Sequence, residues 1–164
     1  MTNRLHHMAF RCRDTEETRA FYEDVIGLPL TAVLELKTSA TGRLVEALHS
    51  FFELRDGSFL AFFEVPGAPF EFKPQHDFDL HIALQADLPA LQAAVTAAKA
   101  RNLDVRGPSD HEFIHSTYFR DPNGYVVELA VPTPQAGEVL SSARGKARAQ
   151  LDAWTERRRN TVAV

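Results

Sequence analysis

The chain has 164 residues, 45% of them apolar and 24% charged, with 8 Gly, 9 Pro and one Cys. That is the composition of an ordinary globular domain, long enough to bury roughly two-thirds of the unfolded surface without a metal or disulfide staple. The longest apolar runs fall far short of the ~20 residues of a membrane-spanning helix, Cys12 has no disulfide partner, and no stretch has signal-peptide character, so a cytoplasmic protein with no membrane partner is expected. With 18 Lys and Arg against 22 Asp and Glu the net charge is -4, and no nucleic-acid-reading motif accompanies it, which argues against nucleic acid as a partner.

Two similar halves follow one another along the chain. His7-Met8-Ala9-Phe10 is a strand-like stretch led by histidine, and His81-Ile82-Ala83-Leu84 repeats it 74 residues later. After the first, Asp14 with Glu17 forms a helix-starting capping box, Ala20, Phe21, Val25 and Leu28 lie near one face, and Gly27 is a natural terminator. After the second, Asp87 caps a helix, Pro89 suits its first turn, Leu88, Leu91, Val95 and Ala98 recur at helical spacing, and Asn102 ends it. Each half then turns strand-rich: Phe51–Leu54 and Ser58–Val65 flank the hairpin signal Arg55-Asp56-Gly57, and Ser116–Arg120 and Tyr125–Val131 flank Asp121-Pro122-Asn123-Gly124. The expected fold is α+β: a βαβββ module over residues 4–66, a linker over 67–78 and a second βαβββ module over 79–132, with the modules curving around a cleft.

A tail completes the pattern. Leu140, Ala143, Ala147, Leu151 and Trp154 keep three- or four-residue spacing, which predicts an amphipathic helix over about 137–160 that docks on its own body or on a second subunit. Residues 1–136 hold 12 basic and 19 acidic side chains and residues 137–164 hold 6 and 3, so a basic helix follows an acidic body.

His7 and His81 stand at equivalent strand positions, so an approximate twofold axis would aim both imidazoles at one point. Tyr125-Val126-Val127-Glu128-Leu129-Ala130-Val131 sets a carboxylate among apolar residues, where an uncompensated charge is costly and a cation would offset the cost. Two imidazoles and a carboxylate form the facial set that leaves positions open on a divalent metal, as in non-haem Fe(II) oxygenases. Alternation turns His6 to the surface. Phe59, Phe62 and Phe63 read as core or dimer-interface packing, Cys12 as a buried small apolar residue, and His49 and His76 carry no assigned role.

Over residues 4–132 the chain resembles the vicinal oxygen chelate superfamily of glyoxalase I, bleomycin-resistance proteins, fosfomycin-resistance thiol transferases and extradiol dioxygenases. The resemblance lies in Leu5-His6-His7-Met8-Ala9-Phe10, in Arg19-Ala20-Phe21-Tyr22-Glu23-Asp24-Val25-Ile26-Gly27-Leu28, in Leu80-His81-Ile82-Ala83, and in the run from Tyr118 through Asp121-Pro122-Asn123-Gly124 to Glu128-Leu129. It implies a metal held by His7, His81 and Glu128, and a small-molecule substrate chelating through two neighbouring oxygens. Several members add a fourth ligand from the first half. The counterpart here is Ala61 or Phe62, depending on how the hairpins are aligned, and Glu64 should face the other way on a regular strand, which disfavours a typical glyoxalase I. A tyrosine ten residues before the ligand Glu is a further likeness to extradiol dioxygenases. Tyr118 stands there, with His111 or His115 as the proton relay and Fe(II) as the favoured metal. An isomerase, epimerase or thiol transferase using Mn, Zn, Ni or Co, and a ligand-sequestering protein of the bleomycin-resistance kind, are the alternatives. Relatives of this kind are often homodimers with the site between subunits, and a homodimer is expected.

Overall fold

The computed structural model describes residues 4–38, 41–42, 44–74 and 76–162. The first module runs β1 (His7–Arg11), α1 (Thr15–Tyr22), β2 (Leu30–Thr38), β3 (Leu44–Glu53) and β4 (Phe59–Glu64). The second repeats it as β5 (His81–Gln85), α2 (Leu88–Ala100), β6 (Val105–Asp110), β7 (Ile114–Arg120) and β8 (Val126–Pro132), and α3 (Ala136–Val162) follows. The strands form two four-stranded mixed sheets, ordered β1-β4-β3-β2 and β5-β8-β7-β6, in which only the first neighbours of each, β1 with β4 and β5 with β8, are parallel. The two βαβββ modules and the long tail helix read from the sequence are therefore present.

Local chemistry explains the element ends. The Asp14 side chain accepts from the Glu17 amide at 2.8 Å, capping α1, but Glu17 itself pairs with Arg13 rather than reaching back, so only half of the capping box forms. Asp87 caps α2 through the Ala90 amide at 2.9 Å, and Asn102 ends it in the left-handed region at φ 55°. The helix α1 stops at Tyr22, earlier than Gly27 suggests. β2 and β3 extend well ahead of the predicted Phe51–Leu54 strand.

The core lies between the helices and one face of each sheet: Phe21, Tyr22, Phe52, Leu60 and Phe62 from the first module meet Ile82, Leu84, Phe119, Val127 and Leu129 from the second. Burying each such side chain contributes roughly 1.5–3 kcal/mol. Polar groups join the halves as well. Asp121, buried in the turn before β8, accepts from the Tyr22 hydroxyl (3.1 Å), Asn123 Nδ2 (3.0 Å) and the amides of Asn123 (2.9 Å) and Tyr125 (2.7 Å). Asn123 Oδ1 in turn accepts from the Arg13 amide at 2.8 Å, and its carbonyl accepts from the Lys73 amide at 2.8 Å, tying the linker down. Every donor aimed at Asp121 is satisfied, which a buried carboxylate requires. Burial nonetheless pushes its carboxyl above the usual range and pushes the Tyr22 hydroxyl up too.

The tail helix does not pack on its own body. Every residue from Leu140 to Trp154 is exposed. No helix among the described residues is long and apolar enough to cross a membrane.

Candidate metal centre

Strand register decides which side chains share the open face of the second sheet. His81 pairs with Val126, Ala83 with Glu128, and Glu128 with Tyr118, so side chains of these rows point to one side while Ile82, Val127 and Phe119 point into the core. On that open side the Nε2 atom of His81 lies 3.2 Å from Oε2 of Glu128, with the two side chains 40% and 5% exposed. The Ser116 hydroxyl donates to Oε1 of Glu128.

The other ring nitrogen fixes the tautomer. His81 Nδ1 lies 2.6 Å from the Asp77 carbonyl oxygen, which can only accept, so Nδ1 carries the proton and neutral His81 presents a lone pair at Nε2. A lone pair and a buried carboxylate oxygen this close require a proton or a cation between them. An imidazole oriented by a carbonyl and a carboxylate oriented by a hydroxyl are a donor set that suits a divalent metal. Among the described residues no group of three or more His, Cys, Asp or Glu side chains comes together, so one chain supplies two such donors here.

Around this pair the pocket is lined by Asp77, Phe78, Arg106, His111, Phe113 and Tyr118. His111 Nε2 and the Tyr118 hydroxyl are 3.0 Å apart. His115, the other sequence candidate for a relay, faces away: it pairs with Val131 rather than in the Tyr118–Glu128 row, lies 3.9 Å from Asp110, and lines a groove beside α2. Adjacent strand residues point to opposite faces, so His115 cannot share the side of Ser116 and Glu128. Arg106, which carried no role in the sequence reading, sits with its guanidinium 5.4 Å from the centre of the Tyr118 ring and donates to both Asp77 oxygens at 3.1 and 2.9 Å. A register shift between Arg106 and Ser109 sets its direction, and Gly107 makes that shift feasible: its φ is +114°, and a Cβ there would lie 2.7 Å from the Ser116 carbonyl oxygen.

His7 occupies the matching place in the first sheet, paired with Phe59 as His81 is with Val126, but the fold does not bring it to His81 and Glu128. It sits among aromatic rings instead, its own ring centre 6.0 Å from Phe51 and 6.4 Å from His49. The pairing of Ala9 with Ala61, like that of Ala83 with Glu128, decides between the two alignments: Ala61 is the counterpart of Glu128. Glu64 is on the core-facing row with Leu48, and its carboxylate accepts from the Thr15 amide at 2.7 Å, so it caps α1 and does not approach His7. His6 is exposed as expected, yet its Nδ1 is 2.8 Å from Nδ1 of His7, a contact that strand alternation alone does not foresee. His49 is only 8% exposed. Its ring stacks on Phe63 at 3.7 Å and its Nδ1 lies 3.1 Å from the Phe62 carbonyl oxygen.

The family model of the glyoxalase/bleomycin resistance protein/dioxygenase superfamily matches residues 4–129. The chain belongs to this superfamily. Among solved structures, a mutant of the fosfomycin resistance protein FosX from Listeria monocytogenes, complexed with Mn(II) and 1S,2S-dihydroxypropylphosphonic acid, is 20% identical with a TM-score of 0.60, over 82% of this chain and 97% of that one. TnmS3, an antibiotic-binding protein from Streptomyces sp. CB03234, is 19% identical with a TM-score of 0.57 over 80% and 98%. A glyoxalase/dioxygenase from Nostoc punctiforme is 24% identical with a TM-score of 0.60 over 79% and 91%. At these identities the likeness is one of fold. No curated protein matches the sequence. The superfamily match stops before α3, so the tail helix is an addition to the superfamily unit in this chain.

Proposed function

We propose that this superfamily member is a metal-dependent enzyme acting on a small substrate through two neighbouring oxygens. His81 and Glu128 supply two of the metal ligands, and His7 of a second copy supplies the third. The observation that carries the reading is the 3.2 Å approach of His81 Nε2 to Glu128 Oε2 with the opposite His81 nitrogen committed to a carbonyl. A divalent metal bound there would supply Lewis-acid chemistry to the substrate oxygens. The remaining work falls to side chains. The Tyr118 hydroxyl, 3.0 Å from His111, is placed to hold a substrate oxygen and to pass a proton to or from the imidazole. Arg106 and Asp77 border the pocket as a neutralised pair.

The Tyr118–His111 pair favours dioxygenase-like chemistry with Fe(II). An isomerase, epimerase or transferase reaction with Mn, Zn, Ni or Co is the second reading, favoured by the fold likeness to a Mn(II)-containing FosX. Metal analysis of untagged protein purified without oxygen, compared with His81→Ala, tests the proposal. Near-stoichiometric iron lost in the variant, with oxygen uptake on catechols, is the expected result; another transition metal lost in the variant moves the assignment to the second reading. Metal content unchanged by the substitution, or no metal after reconstitution, overturns the metal site and leaves a ligand-binding protein. Binding that weakens on dilution to monomer supports the shared site, whereas undiminished affinity in a demonstrated monomer removes His7 of a second copy from it.

A further inference from the structure

Two of the apolar surfaces that the described residues leave uncovered suit each other. One is the stripe of α3, with Leu140, Leu151 and Trp154 41%, 54% and 56% exposed. Helices in proteins draw most of their stability from packing an amphipathic face, and this one, 27 residues and about 40 Å long, stands clear of its own body. The other is a groove of about 800 Å³ between α2 and the helix-bearing face of the second sheet, bordered by Leu88, Leu91, Val95, Pro108, Thr117 and Val131. It is the part of the α2 stripe that the core does not reach. Ala94 and Ala98 are buried against the sheet, while Leu88 remains 54% exposed.

The connector holds the start of α3 in place. Pro132 and Pro134 fix two backbone angles on either side of Thr133. Thr133 is itself anchored, its amide donating to the Phe113 carbonyl at 2.9 Å and its hydroxyl to the Glu112 carbonyl at 3.1 Å. The helix therefore leaves the body in a set direction. Charge selects the occupant. Arg144, Lys146, Arg158 and Arg159 are exposed on α3, and exposed Asp104 and Asp110 flank β6, whose Pro108 borders the groove. An anionic lipid surface or nucleic acid would meet a body carrying 19 acidic against 12 basic residues over positions 1–136, whereas a second copy presents that same body as the complement of a basic helix.

We infer that α3 is an exchange arm: its Leu140–Leu151–Trp154 stripe seats in the α2–β6–β7 groove of a second copy, and the second copy returns its own helix in the same way. Such a reciprocal contact is isologous and closes as a dimer. The inference uses none of the metal-site residues: loss of metal in His81→Ala tests the proposed function, and the α3 and Leu88 substitutions test the exchange.

Sedimentation of the full chain, with hydrogen exchange read at the α3 amides, tests it in the wild type, in Leu151→Glu/Trp154→Glu and in Leu88→Glu. All three substituted residues are exposed in the single chain, and circular dichroism checks that the fold is kept. The expected result is a dimer whose α3 amides are protected at high concentration and lose protection on dilution, with both variants weakened on the order of tenfold or more. Combining helix and groove substitutions should add little, because they remove one contact. Protection of α3 in a monomer would mean that the helix docks on its own body. A dimer indifferent to either set of substitutions would place the interface elsewhere. Vesicle binding by α3 without dimerisation would assign the stripe to a membrane surface. Each of these overturns the exchange.

Discussion

The hydroxyl of Tyr22 donates to Oδ2 of Asp121 across 3.1 Å, so the last residue of α1 in the first half is bonded to the turn that starts the final strand of the second. Asp121→Ala would leave that hydroxyl and the Asn123 and Tyr125 amides without an acceptor, and Asn123 Nδ2 with the Thr18 hydroxyl alone. An unmet buried donor costs about 1–3 kcal/mol, so a loss on the order of 3 kcal/mol or more in urea unfolding is expected, with a smaller loss for Asp121→Asn. Equal stability of Asp121→Ala and wild type would show that the turn is held by its backbone alone.

The pH dependence follows from the same carboxyl. Because burial raises its pKa in the folded state, the native protein holds this proton over a range where the unfolded chain, ionising near about pH 3.9, has released it. The contribution is fully present below the unfolded value and is lost as pH rises through the folded one. Unfolding free energies measured from about pH 3.5 upward should therefore fall in wild type relative to Asp121→Asn, which cannot ionise. A difference that stays flat with pH would count against the raised pKa.

Ser116 would act on the proposed metal centre through Glu128, to which its hydroxyl donates. Removing its hydroxyl frees one carboxylate oxygen to rotate, and loss of such an outer partner typically costs roughly 10–100-fold in metal affinity. Competitive chelator titration of Ser116→Ala should find a loss in that range without loss of fold, while Glu128→Gln should bind no metal at all. Unchanged affinity in Ser116→Ala would mean that the carboxylate is oriented by the strand alone.

Cys12 is 1% exposed, and burial pushes its thiol above the ordinary range. It should resist a thiol reagent at about pH 8 in the native protein and react at the rate of a free cysteine in denaturant. The reaction rate against urea then reports opening of the α1 region. Prompt labelling of the folded chain would show that this region opens far more readily than its packing implies.

Much of the site was readable because period-two alternation and the repeat act locally. His81 follows from its equivalence with His7, Glu128 from its place in an apolar strand, and the turn of Glu64 away from the face of Ala61 from parity. What escaped depends on longer-range geometry. Arg106 owes its direction to the shift at Gly107, and the choice of His111 over His115 is made by a reversal in which Glu112 has φ 68°. His49 lies in β3 ahead of the Phe51–Leu54 stretch that the hairpin signal marks as strand. The separation of His7 from His81 is a property of how two sheets are packed, on which strand periodicity is silent, so the sequence left open whether the two imidazoles meet within one chain or between subunits.

Ala61 stands in the first sheet where Glu128 stands in the second. Around it the face carries Phe51, Phe59 and Phe63 in place of polar groups. If that face closes over the metal of a second copy, it brings an imidazole and a greasy wall but no carboxylate. The ion would then keep one more unit of positive charge unneutralised, and one more coordination position open, than in a four-ligand relative. Such a centre is a stronger electrophile with room for a substrate's oxygen pair and a further small molecule together, and its aromatic wall would sort substrates by the apolar body they carry behind those oxygens.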